Sequence, residues 1–144
     1  MLSLFICRLI SFYIFVSYLA EQYESKYSIP TQSTAFLFSL INNENLEPFK
    51  MKIRSDMIHQ AATKDSENGP IFGVTDLFIA SSNSYSHNTG LGQSYELPTG
   101  FSQGTLRTRT LLSGYEYFTP DTLEVFCFKR MFFFFSILFR FVTI

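Results

Sequence analysis

Apolar and polar positions along the chain alternate with a period of two in several short stretches, and no stretch keeps a helical period. The cleanest is Phe49-Lys50-Met51-Lys52-Ile53-Arg54, which puts Phe49, Met51 and Ile53 on one face of a strand and three cations on the other. Ala35-Phe36-Leu37-Phe38-Ser39-Leu40 is a continuous apolar run of strand length, and Leu123 to Phe128 alternates again as a closing strand. Between them stand turn clusters at Asn42–Asn45, Ser113-Gly114 and Thr119–Thr122. Around Leu106, Thr105 to Thr110 alternates Thr with Arg. The stretch from Asn68 to Ile79 organises the rest: Asn68-Gly69-Pro70 is a turn signature, Phe72-Gly73 an apolar anchor beside a residue free to bend. There Leu77 and Ile79 face one way, Asp76 and Phe78 the other. Short strands separated by turns predict a mainly β chain with minor α, an antiparallel two-sheet sandwich.

The two ends differ from this middle. Leu2 to Ala20 is apolar apart from Arg8, some serines and two tyrosines, and approaches the roughly 20 residues that span a bilayer. Arg8 at a helix centre would cost about 2.5–3.5 kcal/mol. Phe12 to Val16 are β-formers, so a buried strand competes with a span. The stretch lacks the charged start and small-residue site of a cleavable signal. Met131 to Ile144 carries Arg140 inside 14 residues, too short for an ordinary span. It reads as an extra strand, a membrane-surface segment or wrongly joined coding sequence, the last being favoured. The chain thus divides into an apolar segment 1–14, outside the domain or at its degraded start, a domain over 15–128, and a Phe-rich tail 129–144.

Composition changes the picture in three places. At 144 residues the chain is one domain's length. A net charge of −1 argues against nucleic-acid binding, which needs a basic excess. Two cysteines, Cys7 and Cys127, and no N-x-[ST] site make no disulfide framework and lean toward an intracellular, cytoplasmic setting, with membrane contact through residues 1–20 the alternative.

Candidate chemistry is sparse. His59 and His87 lie far apart in loops without paired cysteines, so no metal is expected. Gly90-Leu91-Gly92 lacks the third glycine and the strand–turn–helix setting of a dinucleotide fingerprint, and no cofactor is expected. The row Lys50, Lys52, Arg54 reads as a solvated strand face that discourages edge pairing, with a phosphate or acidic partner as the sharper alternative. Asp76, Glu96, Glu116 and Glu124 are the carboxylates that could pair in space, with hydrogen bonding to turn amides the expected role of Asp76 and Glu124.

The order of these pieces resembles the TLDc domain. Ala35 to Leu40, Asn45-Leu46-Glu47-Pro48-Phe49-Lys50, and Gly69-Pro70-Ile71-Phe72-Gly73 followed by Asp76-Leu77-Phe78-Ile79 match its pattern in sequence. Leu91-Gly92-Gln93-Ser94-Tyr95 fits a Leu-Gly-x-x-Tyr element, and Leu112-Ser113-Gly114, Phe118 and Leu123-Glu124-Val125-Phe126 fit the terminal block. Val74-Thr75-Asp76 departs from the family's Gly-Gly-x-Asp or Gly-His-Asp approach, and the domain looks incomplete at its N-terminal side. The resemblance implies a TLDc-type sandwich, motif positions Gly69, Pro70, Phe72, Gly73, Asp76, Gly92, Tyr95, Gly114 and Glu124, and a non-enzymatic binding or regulatory module. It further implies links to oxidative-stress protection and a protein partner among V-type ATPase subunits. A membrane-tethered version of the same module, or a hydrolase or peroxide-handling enzyme, are the alternatives; the enzyme lacks a recognisable nucleophile or metal motif.

Overall fold

The computed structural model describes residues 2–8, 14–19, 35–65, 69–80, 85–87 and 90–128. They form two five-stranded antiparallel sheets. The first contains β1 (Leu2–Arg8), β2 (Ile14–Leu19), β3 (Phe36–Ile41), β4 (Phe49–Lys52) and, closing the chain's described part, β10 (Thr122–Phe128). Their spatial order is β10-β1-β2-β3-β4. The second sheet runs in sequence order through β5 (Ala62–Asp65), β6 (Gly69–Phe72), β7 (Leu77–Phe78), β8 (Ser86–His87) and β9 (Tyr117–Phe118). A 3-10 turn over Ser55–Gln60 carries the chain from one sheet to the other.

The strand alternation read from the sequence holds where it was cleanest. Met51 and Ile53 are buried while Lys50, Lys52 and Arg54 are exposed, and Phe49 packs against the core from its margin. Leu37 and Ser39 point inward from β3. The core joins both sheets: Leu37, Met51 and Ile53 from the first meet Phe72 and Leu77 from the second, with Ile79, Leu91, Tyr95 and Leu111 filling between. Burying such side chains stabilises the fold by about 1.5–3 kcal/mol each. Ser39 is the misfit, since among the described residues its buried hydroxyl has no hydrogen-bond partner. Ser39→Ala is therefore expected to be neutral or to raise stability by up to about 1 kcal/mol, because it removes a buried polar group that no described residue satisfies. Urea unfolding checks it, and a loss above about 1 kcal/mol would show an unseen partner.

Several expectations need correction. The hydropathy pattern sets residues 1–14 outside the domain or at its degraded start, yet Leu2–Arg8 is a full strand, paired along its length with β10 and over six positions with β2. An apolar run of β-formers suits a central strand as well as a bilayer. No helix among the described residues is long and apolar enough to cross a membrane. The tail 129–144 lies outside the described residues. Gly69 and Pro70 belong to β6, not to a turn, with Lys64 opposite Pro70. The tight turn is instead Gly73–Asp76, because Phe72 pairs with Leu77. Asp76 therefore precedes its strand and is wholly buried, where alternation puts it outside with Phe78. The alternation of Thr105 to Thr110 is one helical turn, α1 (Leu106–Arg109), whose first amides Thr105 caps by accepting from the Thr108 N–H. His87 is a strand residue and not a loop one.

The two cysteines sit in neighbouring strands, but out of step. Cys127 lies opposite Ser3, and Cys7 opposite Leu123, four residues along. Four residues of strand span about 13 Å, twice the Cα separation a disulfide tolerates.

Candidate functional site

Four of the residues singled out in the sequence converge on one buried knot. The Gly73–Asp76 turn presents the Asp76 carboxylate to the segment Gly90–Tyr95, 14 to 19 residues further on. Asp76 Oδ1 accepts from the backbone N–H of Gly92 at 2.9 Å and of Tyr95 at 3.1 Å, and the Ser94 N–H reaches Oδ2 at 2.9 Å. The loop can aim three amides at one point because Gly92 takes φ +93°, a left-handed conformation that costs other residues. The same two segments lock elsewhere: Val74 N–H donates to Ser94 Oγ at 2.9 Å, and Gly90 N–H to the Thr75 carbonyl at 2.9 Å.

The knot ties the sheets together. Ser94 and Glu96 extend β4 along its open side, with Arg54 N–H donating to the Ser94 carbonyl at 2.9 Å and Glu96 N–H to the Lys52 carbonyl at 2.8 Å. Ile53 and Tyr95 form a bridge. From the same backbone the fully buried Tyr95 ring reaches back, and its hydroxyl donates to the Ala61 carbonyl beside β5. That carbonyl also accepts the Gly73 N–H at 3.1 Å. Asp76 thus belongs to the second sheet, the amides it holds belong to a strap on the first, and Tyr95 closes the loop between them.

Electrostatics follow from this burial. Desolvation pushes the Asp76 carboxyl above the ordinary value of 3.8, and the amides of Tyr95, Ser94 and Gly92 pull against it without cancelling it. Burial, with the Asp76 charge close by, pushes the Tyr95 phenol far up, so it stays a neutral donor. Both Asp76 oxygens are turned to backbone amides, so the carboxylate is placed to hold a loop and not to take a proton from a ligand.

Beside the knot is an open depression of about 560 Å³, bordered by Arg54, Asp56, Glu96 and Gln103. Its cation is already engaged: Arg54 donates to both Asp56 carboxylate oxygens at 3.2 and 2.8 Å and to the Gln93 carbonyl at 3.3 Å. Exposed ion pairs of this kind contribute about 0–1 kcal/mol. Among the described residues no group of three or more His, Cys, Asp or Glu side chains could hold a metal ion.

The other motif positions do not join this cluster. Phe72 is core beside Gly73, and the Pro70 carbonyl accepts the Ile79 N–H at 3.0 Å across the β6–β7 pair. Gly114 follows α1 and donates to the Thr110 carbonyl at 2.8 Å. Glu124 is exposed on β10 in the other sheet, so the expectation that it binds turn amides is not met. Glu116 pairs with Arg109 at 2.9 Å. Ser94 is the residue sequence reasoning missed. A serine at an unspecified motif position carries no signal of burial by itself, since serines are mostly exposed.

His87 lies on the outer face of the second sheet, its ring 4.8 Å from Phe78 and 5.9 Å from Tyr117. Burial lowers its pKa below 6.5, and the charge of Glu116 opposes this only in part. A histidine depressed in the folded state leaves the unfolded chain binding more protons below 6.5, so stability falls as pH drops through that window. Urea unfolding at pH 7.5 and 5.5 is expected to show a smaller loss in His87→Phe than in the parent protein. An equal loss in both would remove His87 as the cause.

A family model for the TLDc domain matches residues 3–129. Neither the curated proteins nor the solved structures return a match.

Proposed function

The chain belongs to the TLDc domain family, and from that premise we propose that it acts without catalysis, as a folded surface that binds and regulates a protein partner. Modules of this family are generally linked to oxidative stress. We take the partner to be a subunit of the V-type ATPase and the compartment to be the cytoplasm. The observation that supports a binding module over an enzyme is the use made of Asp76. The most distinctive carboxylate of the family pattern has both oxygens committed to the amides of Gly92, Ser94 and Tyr95, so it builds the scaffold. The hydrolase and peroxide-handling readings would each need a nucleophile or metal set in its place.

Binding of the purified full chain to the purified peripheral sector of a V-type ATPase, followed by interferometry, tests the partner. Saturable binding that survives physiological salt is expected. Absence of binding at micromolar concentrations of both proteins would reject the ATPase as partner, and turnover of a peroxide or ester substrate would reject the non-catalytic reading.

A further inference from the structure

One row of side chains runs across every strand of the second sheet on its outer face. Register sets Thr63, Ile71, Phe78, His87 and Tyr117 side by side from β5 to β9. Their neighbours Ala62, Phe72, Leu77, Ser86 and Phe118 are buried, so the row points away from the core. The outer face of an antiparallel sheet is ordinarily polar. Here four of the five are aliphatic or aromatic, and none is a carboxylate, a lysine or an arginine. Tyr85, across buried Ser86 from His87, adds another ring; it is 70% exposed and Tyr117 58%. The rings do not lie flat on one another. Phe78 and His87 meet at 48° and His87 and Tyr117 at 64°, so the row is ridged, with clefts between the rings. Burial lowers the His87 pKa, which keeps the imidazole mostly neutral near pH 7. Glu116, whose charge reaches His87, is already paired with Arg109.

We infer that this row docks a proline-rich segment of another protein, held in the polyproline II conformation. The match is one of charge, donors and spacing. An acidic or basic segment finds no opposite charge in the row, whereas proline rings are apolar and uncharged like the side chains they would meet. A prolyl residue has no N–H and offers only its carbonyl as an acceptor. The exposed tyrosines Tyr85 and Tyr117 bring hydroxyl donors to such carbonyls. Polyproline II repeats every three residues, about 9.3 Å. From β7 to β9 are two strand spacings, about 9.6 Å. A segment crossing the strands thus sets prolines one turn apart against Phe78 and Tyr117, with the residues between them over His87. Such a segment is extended before it binds, so little ordering entropy is lost. It belongs to another chain, because the prolines of this one stand singly, at Pro30, Pro48, Pro70, Pro98 and Pro120. The inference rests on the reading of the chain as a binding module, and not on the ATPase as its partner.

Decaproline titrated into the isotope-labelled full chain, followed through its amide and tyrosine-ring NMR signals, is the test. Saturable shifts are expected at Phe78, Tyr85, His87 and Tyr117 and their strand neighbours, with the core amide of Ile53 unmoved. Tyr117→Ala and, separately, Tyr85→Ala should each weaken binding at least about tenfold. Both positions are exposed, so the Ile53 signal should stay in place and show each variant folded. A glycine-serine decapeptide should leave the row unmoved. Decaproline binding by a chain that ignores the ATPase would uphold this inference and reject only the partner named above. No saturable shift at millimolar decaproline, shifts away from the row, an equal response to the glycine-serine peptide, or variants that bind as the parent does would each overturn it.

Discussion

Asp76→Ala is expected to lower the free energy of unfolding by about 3 kcal/mol. The substitution leaves three backbone N–H groups without their acceptor, those of Ser94 and Tyr95 buried and that of Gly92 partly buried. An orphaned buried donor costs about 1–3 kcal/mol. Removing the carboxylate also relieves the cost of burying it, the cost that raises its pKa, so the net loss is smaller than the sum of three bonds. Asp76→Asn should cost less, about 1–2 kcal/mol, because one oxygen still accepts from Gly92 and Tyr95 while the new NH₂ opposes the Ser94 amide. Urea unfolding of the three proteins gives the order. An alanine variant as stable as the parent, or an asparagine variant worse than alanine, would contradict it.

Gly73→Val is expected to cost at least about 3 kcal/mol, from two independent sources. Gly73 holds φ +70°, a region in which a β-branched residue is strained by about 1–2 kcal/mol or more. A Cβ at this position would also lie 2.3 Å from Asp76 Oδ2, and 3.0 Å from Asp76 Cβ, so the carboxylate would be driven off its amides. The second source predicts coupling. Gly73→Ala should cost more in the parent protein than in the Asp76→Ala background, where the clashing carboxylate is gone and the backbone strain and the close approach to the residue 76 Cβ remain. Equal costs in the two backgrounds would mean that Gly73 matters for its φ alone.

What the sequence made legible was local. The Phe49–Arg54 alternation became β4 with Met51 and Ile53 inside, and the run from Leu123 became the closing strand, because strand periodicity is written directly in residue order. Asp76 was legible only through the family pattern. Nothing in the periodicity brings residue 76 to residues 92–95, since that meeting is made by a left-handed glycine and by a turn that runs on through Asp76, where alternation already starts the strand. Its burial was misread for the same reason. His87 was hidden by Ser, Asn and Thr neighbours, and its two-residue strand exists only through pairing with Phe78 and Tyr117. Leu2–Arg8 failed in another way: hydropathy scores an apolar strand inside a sheet and a bilayer segment alike.

The central claim is that the Asp76 carboxylate and the Gly92–Tyr95 amides form one buried tie between the two sheets. Native-state amide hydrogen exchange of the full chain tests it most directly, residue by residue. The N–H groups of Gly92, Ser94 and Tyr95 are predicted to exchange only through global unfolding, with the same free energy and urea dependence as the core amide of Ile53. In Asp76→Ala they should lose that protection before Ile53 does. Fast exchange of Ser94 and Tyr95 in the parent protein, by local opening insensitive to urea, would contradict the account.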